Sequence, residues 1–232
     1  MPSFADFDRR NYPIVDVATG YDGWAPTYEQ TVMDEMDLAL LDRLRTPDWA
    51  GVGRAADLGC GTGRTGSWLR GHGVARIDGI DASAGMLALA KERGVHETLT
   101  QADVRDTGLS SGTYDLVIAS LIDEHLPDLK PFYAEAFRIA APGGKCVMVC
   151  FHPQFIMVTG MPTHYTARSG EPVAISTHLH LISEHLTAAM DSGWTLTEIA
   201  ENVVEESWLT RKPKWGELLG QPFSMALVWS RP

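Results

Sequence analysis

The chain has no long apolar run, no dense basic stretch and few cysteines, and each shortage removes a class of function. No segment of its 232 residues approaches the roughly 20 apolar positions that a membrane-spanning helix needs. The opening "MPSFADFDRRNYPIVDV" lacks the apolar core of a secretory leader, so a cytoplasmic protein without a membrane partner is expected. Cys60, Cys146 and Cys150 are an odd number with no C-x-x-C pair. That argues against a disulfide framework and against a paired-cysteine zinc site. A formal charge of −11 is wrong for a protein that must neutralise phosphates, and no nucleic-acid partner is expected. Internal repeats and low-complexity segments are absent as well.

What remains is an ordinary globular composition, 44% hydrophobic and 21% charged, at a length suited to one domain over residues 1–232. Before residue 50, Val32, Met36, Ala39, Leu40 and Leu44 recur at helical spacing. From Arg54 short apolar runs alternate with amphipathic ones. "RAADL", "ARIDGID", "HETLTQAD", "YDLVIAS" and "KCVMVCF" read as strands, and "TGSWLRGHG", "ASAGMLALAKERG" and "PDLKPFYAEAFRIA" as helices, with a turn at "APGG". Such alternation implies an α/β fold, a mostly parallel sheet with helices on both faces. Later, "LISEHLTAAMDSG" reads as a helix, while "WTLTEIAENVV" and "FSMALVW" suggest an antiparallel C-terminal hairpin. Residues 1–50 are expected to form a lid and helix, 51–151 the ligand-binding core, 152–180 an insertion and 181–232 the end of the sheet.

Four glycines crowd the stretch "DLGCGTGRTG" directly after the first of these strands. Read from Gly61, they satisfy the dinucleotide fingerprint G-x-G-x-x-G, with Asp81 downstream to meet a ribose. Read from Asp57, they place an acid at the strand end. A carboxylate there opposes a pyrophosphate, which wants bare amides and a helix N-terminus, and favours a ligand carrying ammonium and sulfonium groups. Glycines would then let the backbone approach that ligand closely.

On these residues the chain resembles the class I S-adenosylmethionine-dependent methyltransferases. "AADLGCGTGR" resembles their first motif, "IDGIDASAGML" their second strand, "QADVRD" the loop after the third and "YDLVIASLIDEHL" the fourth strand and its sequel. "APGGKCVMV" resembles their Pro-Gly-Gly turn and fifth strand, and "YDGWAPTYE" their N-terminal lid. The resemblance spans roughly residues 12–150 and implies a Rossmann-like fold with S-adenosyl-L-methionine as cofactor. It implies cofactor contacts from Tyr21, Tyr28, Asp57, Gly59, Cys60, Gly61, Gly63, Asp81, Ala82, Met86, Asp103, Val104, Ser120 and Leu121. Asp81 would hold the ribose diol, and Asp103 the adenine amino group with Val104 beside the ring. Ala140-Ala141 departs from the Leu-Lys that often precedes Pro-Gly-Gly.

Nothing after Phe151 matches a family motif, and there the acceptor side is expected. "HPQFIMVTGMPTHYTARSGEPVAISTH" reads as an ordered functional loop rather than a helix, from its prolines and glycines. Trp24, Phe155, His164 and Tyr165 are candidate acceptor contacts. His152 and His125 are candidate general bases for a hydroxyl or thiol acceptor. The histidines of residues 152–185 fit no zinc spacing, so no metal is expected. "RKPKW" is the densest basic patch, either a solvated turn or a clamp on an anionic acceptor. Transfer to a small molecule is the expected activity, with a peptide or RNA acceptor, or cofactor binding without catalysis, as alternatives.

Overall fold

Near-continuous apolar strands must be covered on both faces, and the helices between them provide the cover. The computed structural model describes residues 2–32, 36–210 and 212–232. β1 (Ile14–Val15), α1 (Val17–Trp24), α2 (Tyr28–Thr31) and α3 (Met36–Leu41) come first. The core alternates through β2 (Ala55–Leu58), α4 (Arg64–Gly71), β3 (Ile77–Asp81), α5 (Ala84–Arg93), β4 (Thr98–Gln101), β5 (Tyr114–Ser120), α6 (Lys130–Ile139) and β6 (Ala140–Phe151). Then follow α7 (Pro153–Thr159), β7 (His164–Thr166), β8 (Pro172–Ile175), α8 (Ile182–Asp191), β9 (Thr195–Val203), α9 (Glu206–Leu209) and β10 (Pro222–Ser230).

The main sheet runs β4-β3-β2-β5-β6-β10-β9. Its pairs are parallel up to β6, and β10 lies antiparallel to both β6 and β9, which makes the C-terminal hairpin. Leu40, Leu41 and Leu69 of α3 and α4 pack on one face, and Phe132, Tyr133 and Ala188 of α6 and α8 on the other. This order reverses direction beside β2, and ligands of such sheets bind outside the strand ends at that reversal.

Local signals account for the element ends. Ser83 caps α5 by accepting from the Met86 amide, and Gly94 closes it at φ +70°. Three expectations change. Among the described residues, the helix drawn from Val32 to Leu44 is α3: Val32 has ψ 89°, and Met33, Asp34 and Glu35 lie outside the described residues. Ala141–Gly144 is no simple turn but an irregularity within β6, where Ala140 pairs with Tyr114 and Lys145 with Leu116. Residues 152–176, read as a loop, form α7 and the β7–β8 hairpin, to which β1 adds a parallel third strand. Pro153 opens α7 after an N-cap and Gly160 ends it at φ +53°, so the proline and glycine read as loop residues are the start and stop of a helix.

One buried polar knot fastens the strand edge opposite the ligand side. Asp78, fully buried in β3, accepts from Arg54 Nε at 2.7 Å, Thr98 Oγ1 at 2.6 Å and Tyr114 Oη at 2.9 Å. Burial alone would raise its pKa, but these hydrogen bonds outweigh burial and hold it below the usual carboxylate value. A carboxylate so lowered stabilises the fold fully above its unfolded pKa, and loses that contribution as pH falls toward the folded one. Asp78→Ala should therefore cost about 2–4 kcal/mol at pH 7 in urea unfolding, with the deficit shrinking below about pH 4. A cost under about 0.5 kcal/mol at neutral pH would contradict this assignment.

Candidate functional site

The chain leaves β2 through a turn that few side chains could accompany. Gly59, Gly61 and Gly63 have φ of +70°, +53° and +85°, the left-handed region that glycine enters without steric cost. The amides of Gly59 and Cys60 both donate to the Ile80 carbonyl, at 2.7 and 2.9 Å, folding the turn over the end of β3. A Cβ on Gly59 would stand 2.5 Å from Ile122 Cγ2, whereas one on Gly61 would enter open space. Gly61 is therefore small toward a cavity.

Asp81, the last residue of β3, holds this turn. Its Oδ2 accepts from the Gly61 amide at 2.8 Å and its Oδ1 from the Ser83 amide at 2.9 Å. A carboxylate has about four lone-pair directions, so roughly half its capacity stays available to a ligand. Burial raises its pKa, and the two amide bonds pull partly back.

Asp81 opens on a cavity of about 1180 Å³ that runs along the strand ends. Gly59, Cys60, Ala82, Met86, Asp103 and Val104 line it beside Asp81. Ser120 and Leu121 line its middle, with Leu121 at φ +56°, a conformation costing on the order of 1 kcal/mol for such a side chain. Tyr21, Trp24 and Tyr28 form the cover, and Phe155, His164 and Tyr165 line it further along. Trp24 stacks on Tyr165 with centroids 6.0 Å apart, and Tyr21 Oη lies 2.9 Å from His125 Nε2. His125 Nδ1 is 2.8 Å from the Ser176 carbonyl, which can only accept. The ring proton is thus on Nδ1, and Nε2 accepts from the Tyr21 phenol. Burial pushes the Tyr21 phenol well above its ordinary pKa and the Tyr28 phenol up to about 12, so both stay protonated.

Three expected site residues face elsewhere. Asp57 turns from the cavity to His96, with Oδ2 3.0 Å from Nε2 and both side chains buried. Gly63 is the N-cap of α4, and its missing side chain makes room for His96 and Arg93. His152 caps α7, accepting from the Gln154 amide, while its Nε2 meets Glu201 of β9 at 3.0 Å. It sits at the correct strand end but points across β10. Asp103 lines the cavity already engaged, since Arg105 grips its carboxylate at 2.6–3.1 Å and lowers its pKa.

Other residues join the site that were not among the expected contacts. Asp37, brought in by α3, accepts from Arg64 Nη2 at 2.6 Å and Ser120 Oγ at 3.1 Å. Asp22 accepts from Ser83 Oγ at 2.6 Å and the Gly85 amide at 2.8 Å, pinning the cover to α5. Glu124, 2% exposed, lies 3.8 Å from His125, and burial raises its pKa to about 7. The tripeptide "DEH" could have flagged it. Behind the cavity the ligand atoms of Asp123, Cys150 and His185 lie within 4.8 Å of one another. Burial lowers His185 to about 4 and raises Asp123 to about 6 and the Cys150 thiol well up, so a cation there would have to displace a thiol proton. No helix among the described residues is long and apolar enough to cross a membrane.

Comparison with known proteins matches this arrangement. A family model described as a methyltransferase domain matches residues 56–148. Over 104 residues the chain is 33% identical to the chloroplastic tocopherol O-methyltransferase of Arabidopsis thaliana, covering 42% of this chain and 30% of that protein. Over 137 residues it is 32% identical to a malonyl-[acyl-carrier protein] O-methyltransferase of Enterobacter lignolyticus, covering 57% and 53%. The chain thus spans 30% and 53% of the length of these two curated relatives. A solved structure of an S-adenosylmethionine-dependent methyltransferase from Mesorhizobium loti is alike in fold, with a TM-score of 0.66 at 24% identity over 91% of this chain and 100% of that one.

The position of His152 makes a structural role testable. His152→Ala removes a helix cap and should lower stability by about 1 kcal/mol in chemical denaturation, leaving the affinity of any cavity ligand unchanged. An unchanged unfolding midpoint together with a weakened ligand would put the imidazole back in the cavity.

Proposed function

Because the chain belongs to the class I S-adenosylmethionine-dependent methyltransferases, we propose that its cavity binds S-adenosylmethionine beside Asp81 and serves methyl transfer to a small-molecule acceptor. The observation that carries this reading is the pairing of Asp81 with Gly61 across the end of β2 and β3. The turn is open where Gly61 lacks a Cβ, and the carboxylate beside it keeps lone pairs for a vicinal diol. Those features fit a nucleoside. Asp81 would hold the ribose hydroxyls, and Val104 would flank the adenine. Gly59, Cys60 and Gly61 would lie along the amino-acid portion with Ser120 and Leu121. Arg64 and Asp37, an ion pair at 2.6 Å on the same cavity, offer opposite charges to an amino acid's carboxylate and ammonium. When bound, S-adenosylmethionine supplies a methyl group already made electrophilic by its sulfonium.

The residues of this chain then have to orient and to exclude water. Tyr21, Trp24 and Tyr28 roof the cavity, and Asp22 and Glu29 tie that roof to α5 through Ser83, Gly85 and Arg93. His125 Nε2, held in one tautomer by Ser176, is the proton acceptor for a hydroxyl that displaces the Tyr21 phenol. Glu124, next to it, takes part in that proton's balance with a pKa of about 7. A small acceptor is supported by the roofed cavity, and an O-linked one by the names of the two relatives.

Saturating S-adenosylhomocysteine, at 100 times its Kd, should stabilise the fold by about 2.7 kcal/mol, while NAD should not. Asp81→Ala should weaken that binding by about tenfold to a hundredfold in calorimetry, since charge-assisted bonds are worth about 1.5–3 kcal/mol. Equal stabilisation by NAD, or an unchanged affinity in the variant, would overturn the reading.

A further inference from the structure

Behind the cavity lies a polar cluster that the proposed methyl transfer does not use. Asp123 belongs to the turn after β5, Cys150 to the end of β6 and His185 to α8. Their ligand atoms all lie within 4.8 Å of one another, and the three residues are 0–3% exposed. Zinc spacings are recognised by donors close in sequence, whereas these three stand far apart in the chain.

Two of the three are incompletely bonded. His185 Nε2 and Asp123 Oδ1 have no hydrogen-bond partner among the described residues. Nε2 stands 3.5 Å from Asp123 Oδ2, beyond the roughly 2.7–3.2 Å of an N–H···O bond. Neighbouring groups do not make up the shortfall. His180 Nε2 meets the Leu126 carbonyl at 2.7 Å, and Glu124 lines the cavity and accepts from Thr163. Buried polar groups are almost always partnered, so two orphans in one cluster call for a bridging group.

The spacing suits a metal ion. Nitrogen and oxygen donors about 2.0–2.1 Å from zinc at tetrahedral angles stand about 3.4 Å apart, and a sulfur at about 2.3 Å stands about 3.6 Å from either. The His185–Asp123 separation already matches, and the remaining edges need close by at most about 1.2 Å. The ring is oriented as well. His185 Nδ1 lies 3.0 Å from Tyr133 Oη, and metal-bound histidines usually make such a hydrogen bond through the nitrogen remote from the ion. With the ring proton on Nδ1, Nε2 presents a lone pair to the cluster. Charge also balances: a thiolate and a carboxylate together cancel a divalent cation within the apolar core that Cys150 shares with Tyr133, Ala188 and Trp229. Sulfur, imidazole and carboxylate together are a zinc donor set, whereas magnesium and calcium take oxygen ligands.

We infer that Asp123, Cys150 and His185 form a zinc site that ties the turn after β5 to β6 and α8. Binding makes a Zn–S bond and breaks the Cys150 S–H bond, whose proton passes to solvent. Three protein donors leave the fourth position of a tetrahedral ion for water. The same turn carries Glu124 and His125 to the cavity, so the ion would brace the wall from which they project.

Tag-free protein produced in zinc- or cobalt-supplemented medium tests this, since so buried a site loads as the chain folds. After gel filtration it should retain about one metal per chain by atomic emission. The cobalt form should show thiolate-to-metal charge transfer in the near ultraviolet, and removing zinc with a chelator should lower the unfolding midpoint by about 5 °C or more. Cys150→Ala should abolish both the metal and the band, whereas Cys146→Ala, on the same strand, should keep them. Anomalous scattering at the zinc edge from crystals of the parent should place the ion between the three side chains, and this decides the question even where Cys150→Ala does not fold. Metal at trace level only, bound cobalt without the thiolate band, a band that survives Cys150→Ala, or an anomalous peak elsewhere would overturn the inference. Binding of S-adenosylhomocysteine is measured separately and bears on the cofactor reading alone.

Discussion

The carboxylate of Asp81 accepts one amide from the turn after β2 and one from the start of α5, and the site is arranged around that double attachment. A turn with three left-handed glycines would otherwise be among the most mobile parts of the chain, because glycine loses the most freedom on ordering. One charge-assisted bond at 2.8 Å holds it where Gly61 faces the cavity, and a second at 2.9 Å, from the Ser83 amide, anchors the carboxylate. The same contact sets Ser83, which caps α5 and also donates to Asp22 of the cover. Floor and roof are therefore linked through neighbours of a single side chain. In the proposed role that side chain would need its charge to bind a diol, yet burial works against the charge.

The cover is built from parts far apart in sequence. β1 adds to the β7–β8 hairpin, α1 lies against α5, and Trp24 stacks on Tyr165. Gly23 leaves room for that ring, since a Cβ there would stand 2.4 Å from Tyr165 Oη. α7 wedges beneath this assembly and receives the N-terminal segment on one side and Trp215 on the other. The sheet has its own fastening at Asp78, on the opposite edge.

Period and punctuation made the core legible. Apolar runs between glycine and serine signals yielded β2 to β6 and their helices, and Ser83 and Gly94 stand where capping chemistry requires. Direction was harder to read. Asp57 favoured a sulfonium ligand over a pyrophosphate by its charge at a strand end, yet its side chain turns to His96; the family reading was correct although that residue lies off the cavity. His152 likewise stands at the correct strand end and points to Glu201. Which way a side chain leaves a strand terminus depends on the next element's first turn, and Pro153 begins a helix there. Arg64 and Asp22 stand inside quoted motifs, but nothing local says that they pair with Asp37 and Ser83, and Asp37 carries no pattern because it reaches the site through tertiary packing.

A crystal structure of the protein with S-adenosylhomocysteine tests the central claim most directly, since it asks what occupies the free lone pairs of Asp81. The account predicts both ribose hydroxyls on that carboxylate, the adenine against Val104 and the sulfur directed toward Tyr21 and His125 under the closed cover. A ligand seated elsewhere, or one that leaves Asp81 bonded to Gly61 and Ser83 alone, would contradict it.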